Sequence, residues 1–572
     1  MELNRRQRRE RRRDNPFVAF VFCCRIYFGV VGTLLLVAPL LFAVTPGSAI
    51  PKRGGTLRFA TEADPRSLDP ATIFTGDEGT FTHFLFNGLL DLDADGNVVP
   101  MLAEQLPDIS PDALTYTFRL HSGVFFSNGR ELTADDVVYT LERFLDPKTA
   151  SPETGYFKNI RGGDAFEKAR QKEASTNSPP GVTGHWIEPK TVTGLRALDR
   201  RTVQIQLDQP NLALMQILAA VFSGIVPREE VEHRGGRFVT HPIGTGPFVL
   251  KEWRRGVSLR FERNPHYFRP GQPLLDSIDV AINIDLTTQA MMLERGEIDV
   301  QFLIADPDFL RFRKDQKRWP FLESIRGTVP TYVSLNCEMP PFTNPLVRIA
   351  MNHAVNKEAI VRKLLQRAVP LRGALPMNVE GFNPNLPEYA YDPDKAKFLL
   401  ADAGLANGFE TTLWVPNGAM WKQIALSIQQ DLRAVGVAAQ LKEASFSMLS
   451  DAIQRRKTVP MGLMDWVASI NDPKDTLDTL LNGDNITDQA CLNIAFYSNE
   501  RVQQLFRDAS VNSDAKGRLQ LYLTIEESIV RDAPWIFLCQ RNTEMIRNPW
   551  LKGFRPHGFW PTLRLETTWI ER

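Results

Sequence analysis

The sequence predicts a mixed α/β protein of two lobes joined by crossing strands. Three features carry this expectation. Period-two strands interleave with capped helices from residue 54 onward, and strand–helix–strand units recur along the chain. The last segment, from "PWIFLCQRN", is strand-rich without a helix partner nearby, as a chain returning to an earlier sheet would be.

The first 49 residues stand apart. Arginines at 5, 6, 8, 9, 11, 12 and 13 precede the apolar run "IYFGVVGTLLLVAPLLFAV" and the small residues Gly47 and Ala49. A basic region, an apolar region and small residues are the three parts of a secretory signal, with cleavage expected after Ala49. The apolar run is also long enough for an uncleaved membrane anchor. Either reading puts the body outside the cytoplasm, in the periplasm or on the outer face of the cell membrane. With this segment set aside, its eight basic and three acidic residues come off the 67 of each sign, leaving 59 basic and 64 acidic residues. A slightly acidic chain lacks the basic face of a nucleic-acid binder. Three cysteines remain, Cys337, Cys491 and Cys539, and they fit either one disulfide or three buried thiols.

"GGTLRFAT" reads as the first strand, and "LTYTFRL" as another with Leu114, Tyr116, Phe118 and Leu120 on one face. Thr133-Ala-Asp-Asp136 is a capping box before the helix "VVYTLERF", which accounts for the adjacent carboxylates Asp135 and Asp136 without catalysis. Residues 164–190 are polar around Pro-Pro-Gly and read as a loop excursion. Gly244-Thr245-Gly246 invites a phosphate-loop reading. Pro247 removes an N–H donor, however, and the chain then alternates Val257, Leu259 and Phe261 with polar residues, so a turn feeding a β-hairpin fits and a nucleotide loop does not. "SIDVAINIDLTTQAMMLERGEIDVQFLI" reads as a βαβ-like unit.

Past Thr328 comes the strand "TYVSLNCEMPPF". Asn344 caps a helix with Pro345 at its first position, Asn356 caps the next, and Asp392-Pro393 open a third that ends by Gly404. "FETTLWV", "WKQIALSIQQDLRAVG" and "VAAQLKEASF" form strand, helix and strand. The chain carries no G-x-S-x-G elbow, H-E-x-x-H, C-x-x-C or Walker lysine motif, and its eight histidines are scattered. No enzyme activity, cofactor or metal is expected.

In order along the chain, "SLDP", "FNGLLDLDADGNVVPMLAEQL", "LTYTFRLHSGVFFSNGRELTADDVVYTLERFLDPKTASP", "IGTGPFVLKEW" with "RNPHYF", "SLNCEMPPFTNPLVRIAMNHAVNKEAIV" and "YDPDKAKFLLADAG" resemble the recurring blocks of ABC-importer extracellular solute-binding proteins, family 5 (the oligopeptide, dipeptide and nickel class). The resemblance covers about residues 54–540. It implies a type II periplasmic-binding fold: lobe I over 50–320 with an extra subdomain at about 84–190, lobe II over 321–525, and a segment 526–572 returning to lobe I. It implies a receptor, expected to be a monomer, that closes on a small solute, peptide or peptide-like, and hands it to a permease and ATPase on separate chains. Nucleic acid is not an expected partner, and contact with the membrane comes only through the N-terminal segment or the permease. A metal chelate, heme or other non-peptide solute, or a chemosensory role, are the alternatives.

The family's peptide binders carry Trp-x-Ala-Asp-Tyr-x-(Asp/Glu)-Pro, whose aspartate pairs with the ligand ammonium. Here "DWVASINDP" keeps Trp466 and Ala468 but has Ser469 at the aspartate's position. Either Asp465 or Asp472 substitutes, or the solute is not a free-amine peptide. The same matching nominates Phe74, Thr75, Gly76, Tyr156, Phe446, Trp466, Ser469, Asn471 and Asp472 for the cleft. It places Tyr332 and Asn336 on a crossing strand, as hinge or cleft residues. Ordinary packing competes with each assignment.

Overall fold

A computed structural model describes residues 51–73, 75–94, 96–175, 191–555 and 563–572; the N-terminal segment expected to be a signal or anchor, and Phe74, lie outside them. The strand Thr56–Ala60 buries Leu57 and Phe59 and pairs in parallel with Ser277–Ala281, which continues antiparallel to Ser258–Arg263 and Phe248–Arg254. Against this four-stranded sheet lies the helix Gly76–Leu85, whose Phe81 and Phe84 meet Phe261 at ring distances of 5.8 and 5.6 Å.

The glycine-rich turn is the joint between that helix and the hairpin. A Cβ on Gly244 would sit 2.1 Å from the carbonyl oxygen of Leu85, and one on Gly246 would sit 2.5 Å from that of Phe84. Only a hydrogen fits there. The Gly246 N–H donates to the Leu85 carbonyl at 2.9 Å, and the Asn264 side chain donates to the Gly246 carbonyl at 2.8 Å. "GTGP" and "RNP" therefore act as one clamp on a helix end, within the first lobe.

A second four-stranded sheet in this lobe runs Asp108–Ile109, Thr115–Arg119, Thr202–Gln206, Leu195–Asp199. Its last two strands carry the extra subdomain beyond the expected boundary at 190. The helix Ala134–Leu145 covers it, and the Asp136 carboxylate accepts from the Thr133 N–H at 2.9 Å and pairs with Arg130. The stretch expected to be a loop from 164 begins instead as a helix, Gly163–Ser175. Lys168–Asp164 and Gln171–Glu167 pairs line its polar side while Phe166 and Ala169 are buried. Burial of these two residues and the i, i+4 pairs together hold a helix in a sequence with little apolar stripe. The rest of that stretch, 176–190, lies outside the described residues.

In the second lobe Phe409–Pro416 and Val437–Ala444 pair in parallel around the helix Ala419–Ala434. Asn344, Asn356 and Asp392 cap the helices that follow them, each side chain accepting a backbone N–H.

Two long strands, Leu322–Leu335 and Trp535–Arg547, run antiparallel through both lobes. Tyr332, Trp535 and Phe537 lie in a second-lobe core, whereas Met545 and Ile546 lie in first-lobe cores. The return expected to start at 526 thus takes place inside the strand, after Cys539, and the outward crossing falls near 326–331 rather than at 321. The strand Val300–Phe302 pairs with Met545–Arg547 instead of rejoining the sheet of Ser277–Ala281, so the expected βαβ unit is split between two sheets. The three cysteines are free thiols, Cys491 and Cys539 buried and Cys337 half-buried.

Gly246→Ala is expected to cost roughly 1–3 kcal/mol, because a backbone neighbour cannot rotate away as a side chain does. Denaturant unfolding measures it; a midpoint equal to that of the native chain would contradict the clamp.

Candidate functional site

Where the crossing strands pass between the lobes, their residues line a cavity of about 260 Å³. Val329 and the run Arg541–Glu544 belong to these strands, Ile304 and Asp306 to the first lobe, and Arg367 and Met420 to the second. Clefts of this kind between two bodies are the usual place for small-solute sites.

Arg367 is delivered by a π-helical segment, Ile360–Leu365, followed by Gln366 in the left-handed region at φ 48°. Such segments are frequent at functional sites. Its guanidinium donates to the Ile304 carbonyl at 2.7 Å, to Asp306 at 2.5 Å and to Glu544 at 3.2 Å, tying the second lobe to the first. Burial pushes the Glu544 carboxyl up to about 7, against Arg367 and the Ser324 hydroxyl, which hold it down.

Arg541 reaches across the neighbouring strand to Asp465 at the end of the strand Met461–Asp465. Its guanidinium lies 5.5 Å from the Trp421 ring centroid, and Nη1 faces the Met420 sulfur at 3.8 Å. Burial raises the Asp465 carboxyl, and Arg541 draws it back down.

Of the residues expected in the cleft, Tyr156, Trp466 and Ser469 are brought together, around a carboxylate the sequence did not single out. Asp475 accepts from the Tyr156 hydroxyl at 2.5 Å, the Ser469 N–H at 2.9 Å and the Trp466 indole at 3.3 Å. Tyr156 comes from the subdomain, where its ring stacks on Phe222 at 5.8 Å, whereas Asp475 lies in a second π-helical segment, Lys474–Asp478. Ala468 and Ile470 are buried in the subdomain core, so the loop after Trp466 bridges the lobes. Burial pushes Asp475 up to about 6 against its three donors, and burial together with Asp475 pushes Glu153 up to about 7.

The other expected residues have structural partners. Thr75 and Gly76 open a helix, with the Thr75 hydroxyl accepting from the Glu78 N–H at 3.3 Å. Asp472 is buried in a bidentate pair with Arg518 at 2.7 and 2.9 Å, so it has no free edge for an ammonium. Asp465 is held by Arg541. Asn471 accepts from the Glu380 N–H at 3.4 Å. Phe446 is exposed at the first turn of Phe446–Ile453. Tyr332 stacks on Trp535 at 3.7 Å inside the second lobe, and Asn336 is buried, donating to the Val459 carbonyl at 3.3 Å. The pull of core packing, which an alternating strand pattern does not disclose, takes both away from the cleft. The residues missed, Arg541 to Glu544, did leave a signal: a polar run inside an otherwise apolar strand.

Residues 97–488 match the family of bacterial extracellular solute-binding proteins, family 5 (middle region). The chain is 30% identical over 475 residues to "Glutathione-binding protein GsiB" of Escherichia coli O1:K1 / APEC, covering 82% of this chain and 86% of that protein. Among solved structures, the periplasmic binding protein DppA from Helicobacter pylori in complex with peptide STSA aligns with a TM-score of 0.74 at 26% identity, covering 91% and 99% of the two chains. "Clavulanic acid biosynthesis oligopeptide binding protein 2" shares the fold with a TM-score of 0.80 at 21% identity, covering 91% and 96%.

Arg518→Met leaves Asp472 buried without its cation and is expected to cost about 3–5 kcal/mol in denaturant unfolding, much of it recovered when Asp472→Asn is added. Asp475 titrates higher in the folded chain than its ordinary 3.8, so the folded state holds the extra proton between about pH 4 and 6, and this group's contribution to stability falls as pH rises through that window. Asp475→Asn should therefore gain in thermal midpoint on the native chain from pH 4 to pH 6; a difference independent of pH would refute this assignment.

Proposed function

The chain belongs to the bacterial extracellular solute-binding proteins of family 5, and on that premise we propose that it is the exported receptor of an ABC importer. It captures a peptide or peptide-like solute between its lobes and delivers it to the permease. The observation that carries this reading is the cavity over the crossing strands, to which both lobes contribute charged side chains. A solute touching both walls favours the closed arrangement through its differential affinity, and hinge closure around a ligand is the established behaviour of periplasmic binding proteins. The relatives support the solute class, since one is named for glutathione and another was solved with the peptide STSA. Delivery is to subunits on separate chains, and the basic and apolar N-terminal segment serves export or anchoring.

Within this class the solute is held without an aspartate at the usual amine position. Ser469 is neutral, and the two carboxylates that could replace the missing one, Asp465 and Asp472, are each engaged by an arginine. An ammonium brought to Ser469 would meet only Asp475, whose carboxylate already accepts from the Tyr156 hydroxyl, the Ser469 N–H and the Trp466 indole and is pushed by burial toward its neutral form.

Calorimetry with glutathione, the peptide STSA and N-acetyl-STSA tests both statements. Binding is expected, with N-acetylation changing the affinity of STSA by less than about threefold. A bound peptide at 100 times its dissociation constant should also stabilise the chain by about 2.7 kcal/mol. Tight binding that is lost on acetylation would overturn the amine-independent reading, and no binding of any peptide would overturn the solute class.

A further inference from the structure

Arg541 sits in the cavity with more donors than partners. A guanidinium carries five N–H groups and accepts nothing. One side of Arg541 is fixed by Asp465 through Nη2, its nearby aromatic neighbour is Trp421, and among the described residues Nη1 has only the Met420 thioether, a weak acceptor, at 3.8 Å. Nε is buried with no hydrogen-bond partner among the described residues. Arg367, on the opposite wall, is differently placed: its terminal nitrogens are taken up by Ile304, Asp306 and Glu544. The two arginines therefore have separable roles. Arg367 ties the lobes, whereas Arg541 is held rigid on one edge and left open on the other.

A planar guanidinium oriented in this way is built to receive a carboxylate, whose oxygens match its N–H geometry and whose charge strengthens the bond. Asp465 supplies the orientation and keeps the arginine's charge compensated in a half-buried place. It also draws the Arg541 side chain across the neighbouring strand, away from Glu544 three residues along its own strand. The carboxylate of Glu544, itself raised by burial, adds less repulsion to an incoming anion than a fully ionised group would.

We propose that Arg541 is the specificity-determining residue of the cavity and anchors a carboxylate of the solute, with Asp465 as its positioning residue. This rests on the receptor reading above and deepens it: the solute is recognised by its acid end, at the crossing strand, rather than by an amine at the loop after Trp466. An acid and its primary amide have nearly the same shape, so the ratio of their affinities isolates the contribution of the charge.

Calorimetry on the full chain compares the peptide STSA with its C-terminal amide, and a panel of small mono- and dicarboxylic acids with their amides. The native chain is expected to prefer acid over amide by at least tenfold. That ratio should collapse toward one in the double variant Asp465→Asn/Arg541→Gln, which removes both charges and so leaves neither buried alone. Arg541→Lys, which keeps the charge beside Asp465 but not the planar fork, should show an intermediate ratio and serves if the double variant does not fold. If non-peptide acids bind with this dependence on Arg541 while peptides do not, the anchor stands and the peptide reading falls. If STSA and its amide bind equally to the native chain, or if the ratio persists in the variants, the anchor is overturned while the peptide reading stands. Failure of every acid to bind would overturn both.

Discussion

The arrangement depends on one antiparallel pair of strands. Leu322–Leu335 and Trp535–Arg547 stay in register from Leu322 opposite Ile546 to Ser334 opposite Trp535, interrupted by irregularities between Arg326 and Val329 and between Thr331 and Tyr332. A regular ladder resists bending, and bulges are where a strand re-aims its side chains. The first irregularity contains Gly327, where a Cβ would come within 2.5 Å of the Arg541 carbonyl oxygen. The place where the chain must be narrowest is therefore the place where Arg541 turns into the cavity.

Charge around this crossing follows desolvation. Asp472, Asp69 and Asp465 are each matched by an arginine, Arg518, Arg143 and Arg541 respectively. Buried carboxylates that lack a cation meet burial by holding their protons more tightly. Asp475 rises to about 6, and Glu526, whose Oε1 accepts from the Leu375 N–H at 2.9 Å, rises to about 8. The two arginines that line the cavity are oriented in advance, Arg541 by Asp465 and Arg367 by Asp306 and Glu544, which leaves little reorganisation for a binding step there.

Local features of the sequence were legible because their causes are local. Asn344, Asn356 and Asp392 cap helices through side chains that reach only two or three residues ahead. The turn at Gly256, φ 70°, which joins Phe248–Arg254 to Ser258–Arg263, is equally short-range. The helix at Gly163–Ser175 escaped because its buried apolar face is short, Phe166 and Ala169, and the i, i+4 pairs that add to it carry no apolar period. The site was legible only in part. The motifs nominate Trp466, Ser469 and Tyr156, which the fold does bring together, but Asp475, which gathers them, sits 319 positions from Tyr156.

What the sequence determined by itself is the set of elements, the two-lobed α/β plan and the family to which the motif blocks point, since caps, turns and period-two strands are written within a few residues. What only the tertiary structure decided is which charges are free. Asp465 and, less so because of the turn at Asp472-Pro473, Asp472 look available in the chain, and each is engaged by an arginine, 76 and 46 residues away respectively. Electrostatic pairing depends on distance in space and on the water excluded around it, and neither quantity is present in the order of the residues.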